Sequence, residues 1–418
     1  MAGLIIVSIS VAACTADSSE ELDTMASPAS AEEQPDAEGI RPFTIEIADE
    51  VLEDLNDRLA RSRLPDQISG TGWDYGTNRA YVEALLAYWQ DGFDWRAQER
   101  RLNEFDHFKT VIDGVDVHFI HQRSAEEDAI PLLLTHGWPG SFVEFANLIG
   151  PLTNPAAYGG DPADAFHVII PSLPGYGFSG KPTERGYNPE RMADVLAGLM
   201  ERLGYDRYGA QGGDWGAIIS RVLAGNYSDR LIGLHSNMIR GGPPPGGNPE
   251  EGVSTEELER RRERAAAFAD ERGYQGIQGT KPQTLGYGLN DSPAGLAAWI
   301  VEKFHGWSDN DGDVESAFTK DELLTNITLY WVTQTITSSS RLYYESRNTP
   351  STRRAGYIDV PTGAAIFPKE ISFTPRKWAE ARYNIVRWTL MPRGGHFAAL
   401  EEPELLLDDV RAFFRGLR

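Results

Sequence analysis

One stretch in the middle of the chain restricts the fold more than any other: Tyr208-Gly209-Ala210-Gln211-Gly212-Gly213-Asp214-Trp215-Gly216-Ala217. A strand-like run enters a glycine-flanked turn, and a helix-compatible segment leaves it. The pattern is small–x–nucleophile–x–small. Gly212 and Gly216 leave room for a tight turn that lifts residue 214 above the end of the strand. Serine is the usual occupant, and this chain has an aspartate. A carboxylate is already nucleophilic at pH 7 without a base, and it suits displacement at a saturated carbon through an alkyl-enzyme ester. An aspartate at a helix start also reads as an N-cap, so Asp214 alone leaves two roles open.

Two further turns favour the nucleophile. Upstream, Leu132-Leu133-Leu134-Thr135-His136-Gly137-Trp138-Pro139-Gly140 places a His-Gly-Trp-Pro turn at a strand end. A backbone N–H from such a loop and the N–H after the nucleophile can form an oxyanion hole, here Trp138 and Trp215. His136 comes too early in the chain to be the base and reads as a loop-fixing residue. Downstream, Met391-Pro392-Arg393-Gly394-Gly395-His396-Phe397 follows the last strand. His396 is the candidate general base, able to deprotonate a water that attacks the ester. An aligned acid would fix its tautomer and stabilise its imidazolium. Glu370 lies in the right region, just after a strand ending at Phe367, with Glu380, Glu401 and Glu402 as weaker candidates.

Around these motifs the chain reads as an α/β protein. Candidate strands are 130–135, 167–171, 208–212, 231–235, 362–367 and 385–390. Candidate helices are 142–148, 189–203, 216–225 and 403–414. Apolar strands alternating with helices indicate a mostly parallel sheet covered on both faces. Ahead of it, Phe43–Ile47 alternates like a short strand. Val51, Leu52, Leu55 and Leu59 recur at helical spacing, and 79–89 is amphipathic. Asp113-Gly114 between β-branched runs predicts a hairpin. A Gly/Pro-rich stretch at 241–252 and a helix-rich one from 255 to about 344 read as a cap inserted between two sheet strands.

Gly3–Ala13 is apolar or small, too short to span a bilayer, which takes roughly 17–25 residues. It fits the apolar region of a secretory signal. It ends in Val11-Ala12-Ala13-Cys14, similar to a bacterial lipobox, although no Lys or Arg precedes the run. Cys14 is then the candidate lipidation site, and the expected location is the bacterial cell envelope, periplasmic or lipid-anchored. Eight acidic residues and no basic one follow between Thr15 and Gly39, a composition that cannot offset its ordering entropy and reads as a tether. Over the whole chain 39 basic residues face 62 acidic ones, net −23. That argues against a nucleic-acid binder resting on phosphate neutralisation and against a polybasic membrane-surface protein. A single cysteine excludes an intrachain disulfide framework and a Cys-rich zinc site. Gly175-Tyr176-Gly177-Phe178-Ser179-Gly180 matches G-x-G-x-x-G, but Lys181-Pro182 follows instead of a helix, which argues against a dinucleotide site.

From Pro42 to Arg418 the chain resembles the epoxide hydrolases of the microsomal type, including the juvenile hormone epoxide hydrolases. The resemblance is carried by Trp73-Asp74-Tyr75-Gly76, HGWPGSFVEF (136–145), PSLPGYGFS (171–179), GGDWG (212–216), TKPQTLGYGLNDSPAGLAAWI (280–300) and RGGHFAALEEPELL (393–406), in that order. It implies an α/β-hydrolase core with a helical cap and an N-terminal meander domain, an Asp214–His396–Glu370 triad, and no cofactor or metal. It also implies two cap tyrosines that hydrogen-bond the epoxide oxygen, at Tyr274 and at Tyr343, with Tyr344 as the competitor for the second. Such donors are required because an alkoxide leaves poorly unless it is protonated or strongly hydrogen-bonded. The expected segments are 1–14 signal, 15–40 tether, 41–125 N-terminal domain, 126–240 first part of the core, 241–349 cap and 350–418 second part of the core. The implied activity is hydrolysis of a small hydrophobic epoxide by water to a vicinal diol, with a membrane tether through Cys14 and homo-oligomerisation left open. Two alternatives share the scaffold: a haloalkane or haloacid dehalogenase, and a non-catalytic lipid-tethered binding protein.

Overall fold

Nine strands build one sheet: β1 (Arg41–Pro42), β2 (His107–Ile112), β3 (Val115–Gln122), β4 (Ile130–Thr135), β5 (Phe166–Pro171), β6 (Tyr208–Gly212), β7 (Leu231–Ser236), β8 (Ile358–Ile366) and β9 (Tyr383–Leu390). Their order is β1-β2-β3-β5-β4-β6-β7-β8-β9. The computed structural model describes residues 39–244, 246, 248–349 and 356–418. The apolar run with Cys14, and all but the last two residues of the 15–40 segment, lie outside the described residues. From β1 to β5 the neighbours are antiparallel. From β5 through β4 to β9 they are parallel. The β2–β3 hairpin turns at Asp113 (φ 51°) and Gly114 (φ 73°), the two successive positive φ angles that a two-residue hairpin of matching twist requires.

The central strands read as continuous apolar runs because both faces are covered. Leu133, Ile169 and Ala210 join a core with the helices Pro189–Arg202 and Asp214–Asn226. Leu132, Leu134, Val168 and Ile170 pack on the other side with Ala146–Thr153 and Pro403–Arg415. Successive side chains of one strand thus feed opposite cores, as the period of two demands.

Six α-helices lie between β7 and β8 among the described residues: Thr255–Ala267, Gly273–Gln278, Pro282–Leu289, Pro293–Trp307, Lys320–Thr333 and Ile336–Asn348. Their boundaries follow local chemistry. Ser254 with Glu257 and Thr319 with Glu322 form capping boxes. Pro282 and Pro293 open two others at the position where a missing N–H costs nothing. Among the described residues no helix is long and apolar enough to cross a membrane.

Three points of the sequence reading need correction. The strand expected at 43–47 does not form. The Ile45 and Ile47 N–H groups donate to the Asn103 and Glu99 side chains instead of to a ladder, and the strand pairing there is confined to β1. A helix at Trp95–Leu102, not anticipated, is capped by Asp94 and buries Trp95, Glu99 and Leu102. The helix expected at 142–148 is a 3-10 turn, Phe142–Phe145, followed by the α-helix Ala146–Thr153.

Candidate active site

β6 ends at Gly212, and the chain turns sharply into the helix Asp214–Asn226. The glycines are there for want of space. A Cβ on Gly216 would sit 1.8 Å from the Thr135 carbonyl oxygen, and one on Gly212 would sit 2.4 Å from the Gly216 carbonyl carbon. The helix N-cap is Gly213, so Asp214 is its first residue and not its cap. Asp214 takes φ 45°, a conformation that costs a non-glycine residue on the order of 1–3 kcal/mol and recurs at functional sites. Its Oδ1 accepts from the Trp138 N–H at 2.7 Å. Gly137 makes that approach feasible, since a Cβ there would lie 2.2 Å from Oδ1. Trp215 is the second residue of the helix, where a backbone N–H has no intrahelical acceptor.

His396 reaches the same carboxylate from the loop after β9. Its Nε2 is 3.4 Å from Asp214 Oδ2, and its Nδ1 is 2.8 Å from Glu370 Oε1. Both His396 and Glu370 are buried. Burial opposes the imidazolium, but Glu370 and then Asp214 outweigh it and raise the His396 pKa well above its ordinary value. Glu370 thus stands where the acid of a triad must stand. The other candidates are engaged elsewhere: Glu380 pairs with Arg376, and Glu402 with Arg393. Glu401 accepts from the Asp309 and Phe397 N–H groups and braces the His396 loop. His136 bonds through Nδ1 to the Gly137 carbonyl and accepts at Nε2 from the Leu173 N–H. Burial lowers its pKa to about 4. It is a neutral ring that fixes the turn.

Tyr274 and Tyr343 line one cavity of about 480 Å³ together with Asp214 and Trp215. Their rings meet edge to face at 5.5 Å, Trp138 stacks on Tyr274 at 5.2 Å, and Trp215 meets Tyr343 at 4.8 Å. Burial first, and the nearby Asp214 as well, push both phenol pKa values up, so both stay protonated donors. The Tyr274 hydroxyl accepts from Gln275. The Tyr343 hydroxyl is buried close enough to Tyr274 for the two to influence each other's proton. No well-formed hydrogen bond from protein reaches it among the described residues, however. Tyr344 does not line this cavity.

Sequence reasoning missed Glu144, although it lies inside the quoted HGWPGSFVEF stretch. It lines a second cavity of about 20 Å³ with Asp214 and His396. Its carboxylate fits only because residue 140 is glycine: a Cβ there would lie 1.2 Å from Oε1. Glu144 keeps some accessible surface, yet protein atoms crowd it on all sides. That desolvation raises its pKa to about 8. A carboxyl kept neutral beside a triad leaves no periodicity or spacing signal in a sequence. Among the described residues no cluster of three or more His, Cys, Asp and Glu side chains could hold a metal.

Similarity to known proteins agrees with that geometry. Residues 40–145 match the family described as epoxide hydrolase N terminus, and 130–270 match the alpha/beta hydrolase fold. Epoxide hydrolase 1 of Sus scrofa is 42% identical, over 92% of this chain and 90% of that protein. The juvenile hormone epoxide hydrolase of the silkworm Bombyx mori superposes with a TM-score of 0.84 at 35% identity, over 92% of this chain and 96% of that one. The Aspergillus niger epoxide hydrolase gives 0.82 at 34% identity, over 91% and 97%. The aspartate turn, the helical insertion and relatives at these identities lead to one conclusion: the chain belongs to the epoxide hydrolase family, on the α/β-hydrolase fold.

Proposed function

We propose that this epoxide hydrolase works through Asp214, His396, Glu370, Tyr274 and Tyr343 in two half-reactions. In the first, a carboxylate oxygen of Asp214 attacks a ring carbon. The ring C–O bond breaks, its electron pair stays on oxygen, and that oxygen takes a proton from Tyr274 or Tyr343. The product is a hydroxyalkyl ester on Asp214. With the carboxylate consumed, His396 gives up its proton to restore the phenol, directly or through water, and becomes a neutral base. In the second half-reaction His396 takes a proton from water, and the hydroxide adds to the ester carbonyl carbon. The Trp138 and Trp215 N–H groups stabilise the oxyanion. Collapse expels the diol oxygen, which takes the proton from His396. The carboxyl now on Asp214 passes its own proton to His396. That restores the resting pair, and the sum is epoxide plus water to diol.

Two features favour this order of events. The cavity of about 20 Å³ bounded by Asp214, His396 and Glu144 is of a size that holds one water. And Asp214 helps to keep His396 protonated, so esterification removes that charge and frees the imidazole when a base is needed.

The reading rests most heavily on one observation. Asp214 offers Oδ1 to a backbone donor at 2.7 Å and Oδ2 to His396 at 3.4 Å, in a cavity lined by both phenols. The test is His396→Gln mixed with styrene oxide and examined by intact-protein mass. The expected result is a stable adduct of one substrate mass, mapping to Asp214. A variant that keeps its fold by circular dichroism and gains no mass on Asp214 would overturn the covalent route.

A further inference from the structure

The lining of the cavity of about 480 Å³ runs against the composition of the chain. Acidic residues outnumber basic ones 62 to 39, yet among the described residues Asp214 is the one carboxylate on the cavity wall. The charged residues that join it are Arg240, Arg261 and Arg272. They come from three segments: the loop after β7, the helix Thr255–Ala267, and the 3-10 turn Asp270–Arg272 just ahead of Tyr274. All three are exposed, which puts them at the mouth. None forms an ion pair among the described residues. Arg261 lies over the Trp378 ring at 4.7 Å and Arg272 over Phe268 at 5.9 Å. A contact of that kind draws the guanidinium to the ring face without engaging its N–H groups in an ion pair. Other surface arginines of the same region do find carboxylates, such as Arg262 with Glu250 and Arg376 with Glu380.

We infer that Arg240, Arg261 and Arg272 form an anion-recognition collar, and that the substrates this enzyme prefers carry a carboxylate at the end of the molecule remote from the epoxide. The inference rests on the epoxide-opening role of Asp214 and specifies which epoxides reach it. The wall also carries Ile218, Met238, Phe268 and Phe373 beside the polar Gln275, Ser372 and Thr374, and the apolar members suit an aliphatic chain linking the two ends. A guanidinium presents a planar fork that matches a carboxylate. The net charge of −23 does not cancel this attraction. Charges beyond a Debye length of about 8 Å are screened at physiological salt, while the collar acts at contact range.

The magnitude is modest and measurable. An exposed guanidinium–carboxylate pair contributes little by itself, and three acting on one anion give a preference of roughly three- to tenfold or more. The experiment compares kcat/KM for an eleven-carbon ω-epoxy fatty acid with that for its methyl ester. The same pair is then run at low and high salt, and on the Arg240→Gln/Arg261→Gln/Arg272→Gln variant. Each protein is its own reference through the acid-to-ester ratio, so a general loss of activity cancels. The expected ratio is at least about threefold in the native enzyme, falling towards one in high salt and in the variant. Should the triple variant fail to fold, the salt series and the single variants carry the test. A native ratio near one or below, or a ratio that survives both salt and substitution, overturns the collar and leaves the epoxide-opening reading intact. Absence of turnover on acid, ester and styrene oxide alike overturns that reading itself, and the collar with it.

Discussion

Asp214 sits at a strained φ of 45°, and its surroundings show what the strain achieves. An aspartate that caps a helix turns its carboxylate back onto the N–H groups of that helix. This one is lifted to the Trp138 N–H and to His396 instead. The two phenols differ in their starting states. Tyr274 already accepts from Gln275, whereas no well-formed hydrogen bond reaches the Tyr343 hydroxyl among the described residues. Accepting from Gln275 leaves the Tyr274 O–H free to donate, and the two hydroxyls influence each other's proton, so an epoxide oxygen meets a pair of donors. Removing a positioned proton donor costs roughly 10²–10⁴-fold when it acts alone, and less when a second donor remains. Tyr343→Phe should lower the rate of ester formation by roughly 10- to 100-fold while the fold is kept. Single-turnover fluorescence of the nearby tryptophans reads that step directly. A Tyr343→Phe rate close to the native one would remove this phenol from the mechanism.

At the scale of elements, the C-terminal helix Pro403–Arg415 fastens the parallel half of the sheet through one side chain. Asp409 meets His235 of β7 at 3.0 Å, and Arg387 and Thr389 of β9 at 2.7 and 2.6 Å. Burial would raise its pKa, but these partners win and lower it to about 2 from the usual 3.8. A carboxyl with a depressed folded-state pKa contributes stability that is present above the unfolded pKa and lost as pH falls through the folded one. After a discount for solvent screening the contribution is roughly 1–2 kcal/mol, complete above about pH 5 and lost between about pH 4 and pH 2. The urea midpoint of Asp409→Asn should thus trail the native one by a constant amount from about pH 7 to pH 5, and the gap should narrow below about pH 4. A gap that does not change with pH would mean that Asp409 acts by packing alone. None of these contacts was legible in the sequence, because they join residues up to 174 positions apart. What was legible lies in local chemistry: the glycines at 212 and 216, the Asp113-Gly114 turn, and the apolar runs of β4 to β7. The helix Trp95–Leu102 escaped because only Trp95 and Leu102 of its eight residues are large and apolar. Residues 43–47 alternate like a strand, but the Asn103 and Glu99 side chains take the Ile45 and Ile47 N–H groups. The arginine collar and Glu144 escaped for the same reason as Asp409: a cavity wall is assembled from distant segments.

For the whole molecule, the cap is part of the catalytic frame as well as a cover. It carries both phenols, on the helices Gly273–Gln278 and Ile336–Asn348. The second of these is anchored to the core loop after β5, where the Ser338 hydroxyl donates to the Gly175 carbonyl at 2.6 Å and Tyr176 donates to the Ser339 carbonyl at 3.2 Å. In the other direction, two of the core loops that build the site, those after β4 and β9, hang from cap elements. The His396 N–H donates to the Trp307 carbonyl at 2.9 Å, and the Gly394 N–H to the Asp309 carboxylate at 2.9 Å. Asn326, on the helix Lys320–Thr333, donates to the Pro139 carbonyl at 2.8 Å and accepts from the Ser141 hydroxyl at 2.8 Å. Tyr330 of the same helix donates to the Gly140 carbonyl at 2.8 Å. These last bonds hold the turn that presents the Trp138 N–H to Asp214. Asn326→Ala removes two of them and leaves the Pro139 carbonyl and the Ser141 hydroxyl buried without those partners, which costs roughly 1–3 kcal/mol of stability. If the cap only covered the site, that loss would be the whole effect. If it frames the site, the Trp138 donor loosens as well. Deleting an oxyanion donor outright costs roughly 10²–10³-fold, so a loosened one should slow hydrolysis of the Asp214 ester by roughly tenfold. The ester would then accumulate during turnover, and rapid quench followed by intact-protein mass measures its fraction. A stable Asn326→Ala enzyme that hydrolyses the ester at the native rate would reduce the cap to a cover that brings two phenols.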